Sequence, residues 1–193
     1  MAYELRDAIL AGNISSTFVQ ARDSTFTKGG SISPDGTKIA VLSRRHGGSG
    51  SDDHGIDIWH FGDSGWAEAT SIDLGDGFQI ADSIYWYSDT EILVIVGTQL
   101  RSFTLGNDGN WSSSYSTEID MGIGENPMHM WVSPDKTVVG LSVDVNWFDE
   151  GFMRQTKNIA FVHKVDGKFT SVQTVQMSLG RVTAMSWIDE TNV

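Results

Sequence analysis

The side chains able to do chemistry are five histidines, 25 acidic residues and scattered serines, with no cysteine. Without cysteine, neither a disulfide nor a thiolate metal site can form. His46, His54, His60, His129 and His163 show no helical ligand spacing, so no His-x-x-x-His metal pair is indicated. His60 and His163 occupy matching positions near hairpin turns, which suits a structural role. Asp52, Asp53, His54 and Asp57 form the densest acidic group. Such oxygens suit a hard cation such as calcium, but a solvated surface loop is the preferred reading. Gly48-Ser49-Gly50-Ser51 lacks the Gly-x-Ser-x-Gly spacing of a nucleophile elbow. No glycine-rich phosphate loop opens a helix pattern, and no carboxylate pair stands out for acid–base work. The expectation is no enzyme, no catalytic residue and no cofactor, with calcium as the one cation to test.

The elements that must position these residues form an internal repeat. Ser31-Ile32-Ser33-Pro34-Asp35-Gly36-Thr37-Lys38-Ile39-Ala40-Val41-Leu42-Ser43 recurs as Trp131-Val132-Ser133-Pro134-Asp135-Lys136-Thr137-Val138-Val139-Gly140-Leu141-Ser142. A shorter version runs from Trp86 to Val96, and a fourth begins at Trp187. The turn aspartates Asp35, Asp89, Asp135 and Asp189 lie 54, 46 and 54 residues apart, a period that fits one four-stranded unit. Each unit then carries a strand, a glycine-containing turn and an aromatic residue: Trp66, Trp111 and Phe169. In the Ser-Pro-Asp-Gly turn, proline presets φ, aspartate bonds back to the backbone and glycine accepts a positive φ. Ile39 to Leu42 and Ile92 to Val96 are apolar on both strand faces. One sheet cannot cover both faces, whereas stacked units can.

Ser33-Pro34-Asp35-Gly36-Thr37-Lys38-Ile39-Ala40-Val41 followed by Asp57-Ile58-Trp59 resembles the repeat of TolB-like and WD-repeat-like β-propellers. The resemblance spans about residues 29 to 193 and concerns a turn and a core rather than chemistry. It implies an all-β fold of β-propeller blades: three four-stranded repeats at about 29–75, 80–122 and 127–180, plus the start of a fourth at 183–193. That is an incomplete propeller, whose open edge calls for more chain or a second copy. Residues 1–28 stand outside the repeat, with a short helix expected over Leu5–Leu10 and a ring-closing strand over Thr17–Gln20. Asp73-Leu74-Gly75-Asp76-Gly77-Phe78 resembles the calcium loops of integrin-type propellers. It is one residue short, however, with Ala81 near the place of the last aspartate, and is read as punctuation between blades.

Two segments read as long loops, Arg45 to Gly55 and Asp144 to Lys157. The second carries Trp147, Phe148, Phe152, Met153 and Arg154, the composition of a protein-contact surface. A net charge of −12 argues against a nucleic-acid partner. The longest apolar run, Ile92 to Val96, is far below a membrane span. The N-terminus is polar and acidic, unlike a secretory signal, so a soluble cytoplasmic or virion location is expected. These features together predict a non-enzymatic protein-binding or scaffolding propeller, a structural component of a larger assembly such as a virion, with protein partners or further copies of itself. The alternative is a carbohydrate-binding or glycoside-hydrolysing propeller.

Overall fold

Runs of β-branched and aromatic residues broken by Ser, Asp and Gly favour short paired strands. The computed structural model describes residues 25–46, 52–62, 65–76, 81–119, 129–142, 146–149, 152–155, 158–176 and 186–187, and among these it is all-β. Three four-stranded antiparallel sheets follow one another along the chain as propeller-like blades. The first holds β1 (Thr25–Ile32), β2 (Lys38–His46), β3 (Asp52–Gly62) and β4 (Gly65–Asp76), side by side in that order. The second repeats this arrangement with β5 (Ala81–Ser88), β6 (Glu91–Val96), β7 (Gln99–Leu105) and β8 (Trp111–Glu118). The third is built from β9 (His129–Val132), β10 (Val138–Ser142), β13 (Asn158–Val165) and β14 (Lys168–Gln176). A separate hairpin, β11 (Asn146–Asp149) and β12 (Phe152–Gln155), is inserted between β10 and β13.

Both expected loops turn out to contain strand. Arg45 pairs with Asp53 and His46 with Asp52, so the β2–β3 ladder continues into the acidic segment. Ladder pairing satisfies backbone groups that a loop would leave to water. Asp73 to Asp76 likewise belong to β4, with Asp76 opposite Asp53. The expected helix at Leu5–Leu10, the strand at Thr17–Gln20 and nearly all of the fourth repeat lie outside the described residues. No helix among the described residues is long and apolar enough to cross a membrane.

Side-chain alternation explains the stacking. Ile92, Val94 and Val96 of β6 point to the first sheet, where Ala40, Leu42 and Ile58 complete one core. Leu93 and Ile95 point the other way and meet Val139, Leu141 and Val162 of the third sheet. These five β6 residues are each at most 1% exposed. The corresponding Ile39 and Val41 of β2 are only half-buried, because no described sheet covers their face. The first and third sheets share one turn geometry. Ser33 N donates to the Lys38 carbonyl and Gly36 N to the Ser33 carbonyl, each at 2.9 Å. In the third sheet Ser133 N donates to Val138 O at 2.9 Å and Lys136 N to Ser133 O at 2.8 Å. His60 opposite Lys38 and His163 opposite Val138 occupy the same register position, as their spacing predicts.

Candidate functional site between the second and third sheets

The two sheet-to-sheet junctions differ in chemistry. The first has an apolar core, with Arg101 Nη1 donating across it to the Leu74 carbonyl at 3.3 Å; Trp86 lies there edge-on to Trp111 at 5.9 Å, and its Nε1 has no hydrogen-bond partner. The second combines an apolar core with a cluster of ionisable groups at the end where β5–β6 and β9–β10 turn. Tyr87 is central to it. Two residues before the turn aspartate, the first and third sheets have Ser33 and Ser133, whose side chains close their own turns. The second sheet has Tyr87 at that position, and its phenol reaches across to the third sheet.

The Tyr87 hydroxyl donates to the Lys136 carbonyl at 2.9 Å, and Lys136 Nζ donates back to the Tyr87 carbonyl at 2.6 Å. Lys164 Nζ donates to the Tyr87 hydroxyl at 2.7 Å. Both ammoniums also lie over the Tyr87 ring, at 5.3 Å for Lys136 and 4.5 Å for Lys164, within cation–π range. Phe169 packs edge-on against the same ring at 5.6 Å. Each lysine holds a position that is not cationic in another sheet. Lys164 N bonds to Thr137 O just as Phe61 N bonds to Thr37 O. Lys136 stands where the first sheet has Gly36, and both are left-handed, with φ of 59° and 73°. A residue with a Cβ is disfavoured there, so the lysine is held by its tertiary contacts.

Next to this clamp, Ser102 is fully buried and its Oγ donates to Glu91 Oε1 at 2.7 Å. Tyr115 faces Ser102 across the β7–β8 ladder. Its hydroxyl is buried, with the Phe169 backbone and the Ser102 side chain beside it as polar neighbours that act to lower its pKa. Burial pushes the Tyr115 phenol above its ordinary pKa, and burial next to Tyr87 does the same for Tyr85. Around the turns, Asp35 accepts from Ser33 Oγ at 2.6 Å, Thr37 N at 2.9 Å and Lys38 Nζ at 3.2 Å. Burial acts to raise the Asp35 pKa, but these bonds outweigh it and hold the carboxyl well below the usual range. Asp135 is lowered too, by Ser133 and then Thr137.

Trp147, Phe148, Phe152, Met153 and Arg154 lie in the β11–β12 hairpin, with Trp147 opposite Arg154 and Phe148 opposite Met153. Only the backbone of that hairpin is described. The hairpin joins the opposite end of the third sheet, away from the Tyr87 cluster. Asp52, Asp53 and His54 fall in β3 as strand residues, their side chains outside the described set. Among the described residues no group of three metal-ligating side chains converges. None of the clustered residues stood out in the sequence. The available signal was the lysine that replaces glycine when the turn of the third repeat is laid on that of the first.

No protein-family model matches the chain, and no curated protein does. Among solved structures it is similar to a protein from Lactobacillus plantarum at 12% identity, over 79% of this chain and 56% of that one, with a TM-score of 0.47. It is also similar to a Bacteroides fragilis protein provisionally described as a 6-phosphogluconolactonase, at 12% identity over 75% and 55% of the two chains, again with a TM-score of 0.47. The chain thus spans little more than half the length of these structures. Against the expectation of a non-enzymatic binding or scaffolding component, one of these similar structures is provisionally described as an enzyme. The ground for that expectation was the missing catalytic motif. Sites assembled from several repeats leave no compact motif to find, so its absence excludes no reaction.

Proposed function

We propose that the chain handles a small ligand at the junction of its second and third sheets, around Tyr87, Glu91, Tyr115, Lys136 and Lys164. The observation that carries this reading is the buried Tyr115 hydroxyl next to the Tyr87 cluster, where two lysines converge on one tyrosine. A buried phenol whose hydrogen bonds are incomplete costs about 1–3 kcal/mol. A ligand atom accepting from it removes that cost. The Ser-Pro-Asp-Gly-type turns support a TolB-like or WD-repeat-like subclass, and the β11–β12 hairpin is a second contact element at the opposite end. A thermal-shift panel of neutral sugars, lactones, phosphate esters and carboxylates tests the reading. Turnover is followed in parallel, including 6-phosphogluconolactone hydrolysis. At least one compound should raise the Tm of the wild type and do so less for Tyr115→Phe. A folded protein that responds to none of them, with no turnover, overturns the proposal.

A further inference from the structure

We infer that the ligand group held at this junction is an oxyanion, a phosphate or a carboxylate, taken between the Lys136 and Lys164 ammoniums. This rests on the ligand-handling reading above and adds the class of ligand. An ammonium has three N–H donors. The described protein takes one from each lysine: the Tyr87 carbonyl from Lys136 and the Tyr87 hydroxyl from Lys164. Neither ammonium forms an ion pair with a carboxylate of the described residues, although the chain as a whole carries a charge of −12.

Lys38 shows the contrast. This lysine of the first-sheet turn is closed by Asp35 at 3.2 Å. The carboxylates near the two junction lysines are committed elsewhere. Asp135 is held by Ser133 and Thr137, and Glu91 accepts the Ser102 hydroxyl. Glu91 weakens the positive field of the cluster without cancelling two ammoniums. Both lysines are half-buried, where charge is less screened than on an open surface. Tyr87 holds both through its ring and its two oxygens. An oxyanion with several lone pairs accepts the remaining donors of both and supplies the missing counter-charge. Retaining a lysine at the left-handed Gly36 position then has a purpose beyond the turn.

The test is calorimetric titration of the intact chain at low salt with inorganic phosphate and, separately, acetate, using wild type, Lys164→Met and Lys136→Gly. Lys136→Gly places the residue of the first-sheet turn in the third, so the turn keeps a residue suited to it; circular dichroism confirms that each variant is folded. The expected result is saturable binding of one or both probes. Each substitution should weaken it about tenfold, the loss of one charge-assisted hydrogen bond, and added salt should weaken it further. Phosphate alone binding assigns a phosphoryl group, and acetate binding assigns a carboxylate. Failure of both probes with the folded wild type, or affinities unchanged in both variants, overturns the inference. If an uncharged compound from the panel binds regardless of either lysine, the ligand class is wrong while the junction remains in use.

Discussion

Replacing Lys136 by glycine and by alanine separates its backbone conformation from its ammonium. Both substitutions remove the bond to the Tyr87 carbonyl and the contact with its ring, so those losses cancel in the comparison. What differs is a Cβ at φ 59°. A left-handed backbone costs an L-residue roughly 1–2 kcal/mol, and glycine returns about 0.5–1 kcal/mol of that through its greater freedom when unfolded. The glycine variant should therefore be the more stable by about 0.5–1 kcal/mol, or roughly 1–4 °C in Tm for a chain of this size. Gly36→Ala should fall in the same direction, since a Cβ built there meets nothing within 4 Å and only the conformation is penalised. Urea and thermal unfolding of the four proteins, wild type included, give the comparison. An alanine variant as stable as the glycine variant would mean that residue 136 is not held left-handed, and the paired-turn description would fail with it.

Other consequences follow from burial and charge. Leu93→Ala, at a side chain with no exposed area between the second and third sheets, should cost about 2–5 kcal/mol in urea unfolding; less than about 1 kcal/mol would contradict the stacked packing. Val94→Ala should cost more than Val41→Ala, since Val94 is fully buried and its counterpart in the first sheet only half so; equal losses in parallel denaturation curves would show that the repeats do not correspond. The carboxyl of Asp35 is held below its unfolded pKa. Its stabilising contribution is therefore present above about pH 4 and declines as the pH falls below that value. Asp35→Asn should be less stable than wild type near neutrality and lose less on acidification from about pH 5 to about pH 2; unchanged acid sensitivity in urea midpoints would count against the turn network.

The repeat was legible because its strands and turns obey local chemistry. Ser33-Pro34-Asp35-Gly36 states a turn, and the unbroken apolar run Ile92 to Val96 states a strand covered on both faces. The extent of the ladders was not legible. Arg45 to Gly55 reads as a loop by composition, yet Asp52 and Asp53 pair with His46 and Arg45, because strand length there follows the neighbouring strand rather than side-chain preference. The junction cluster was hidden for a different reason. Tyr87, Ser102, Tyr115, Lys136 and Lys164 are spread along the chain and meet only through the stacking of two sheets. Each alone reads as an ordinary strand or turn residue. The aromatic-rich segment from Trp147 to Arg154 drew attention by composition, which says what a surface can touch but not which junction holds buried polar groups.

Tyr115→Phe tests the central claim most directly, through unfolding free energy without ligand and affinity for the compound found in the panel. Removing the buried hydroxyl should leave the unliganded protein as stable as wild type or slightly more so, while affinity for the ligand falls. A loss of about 1 kcal/mol in the unliganded protein, the net worth of an ordinary hydrogen bond, with affinity unchanged, would make the phenol part of the packing and contradict a ligand at this junction.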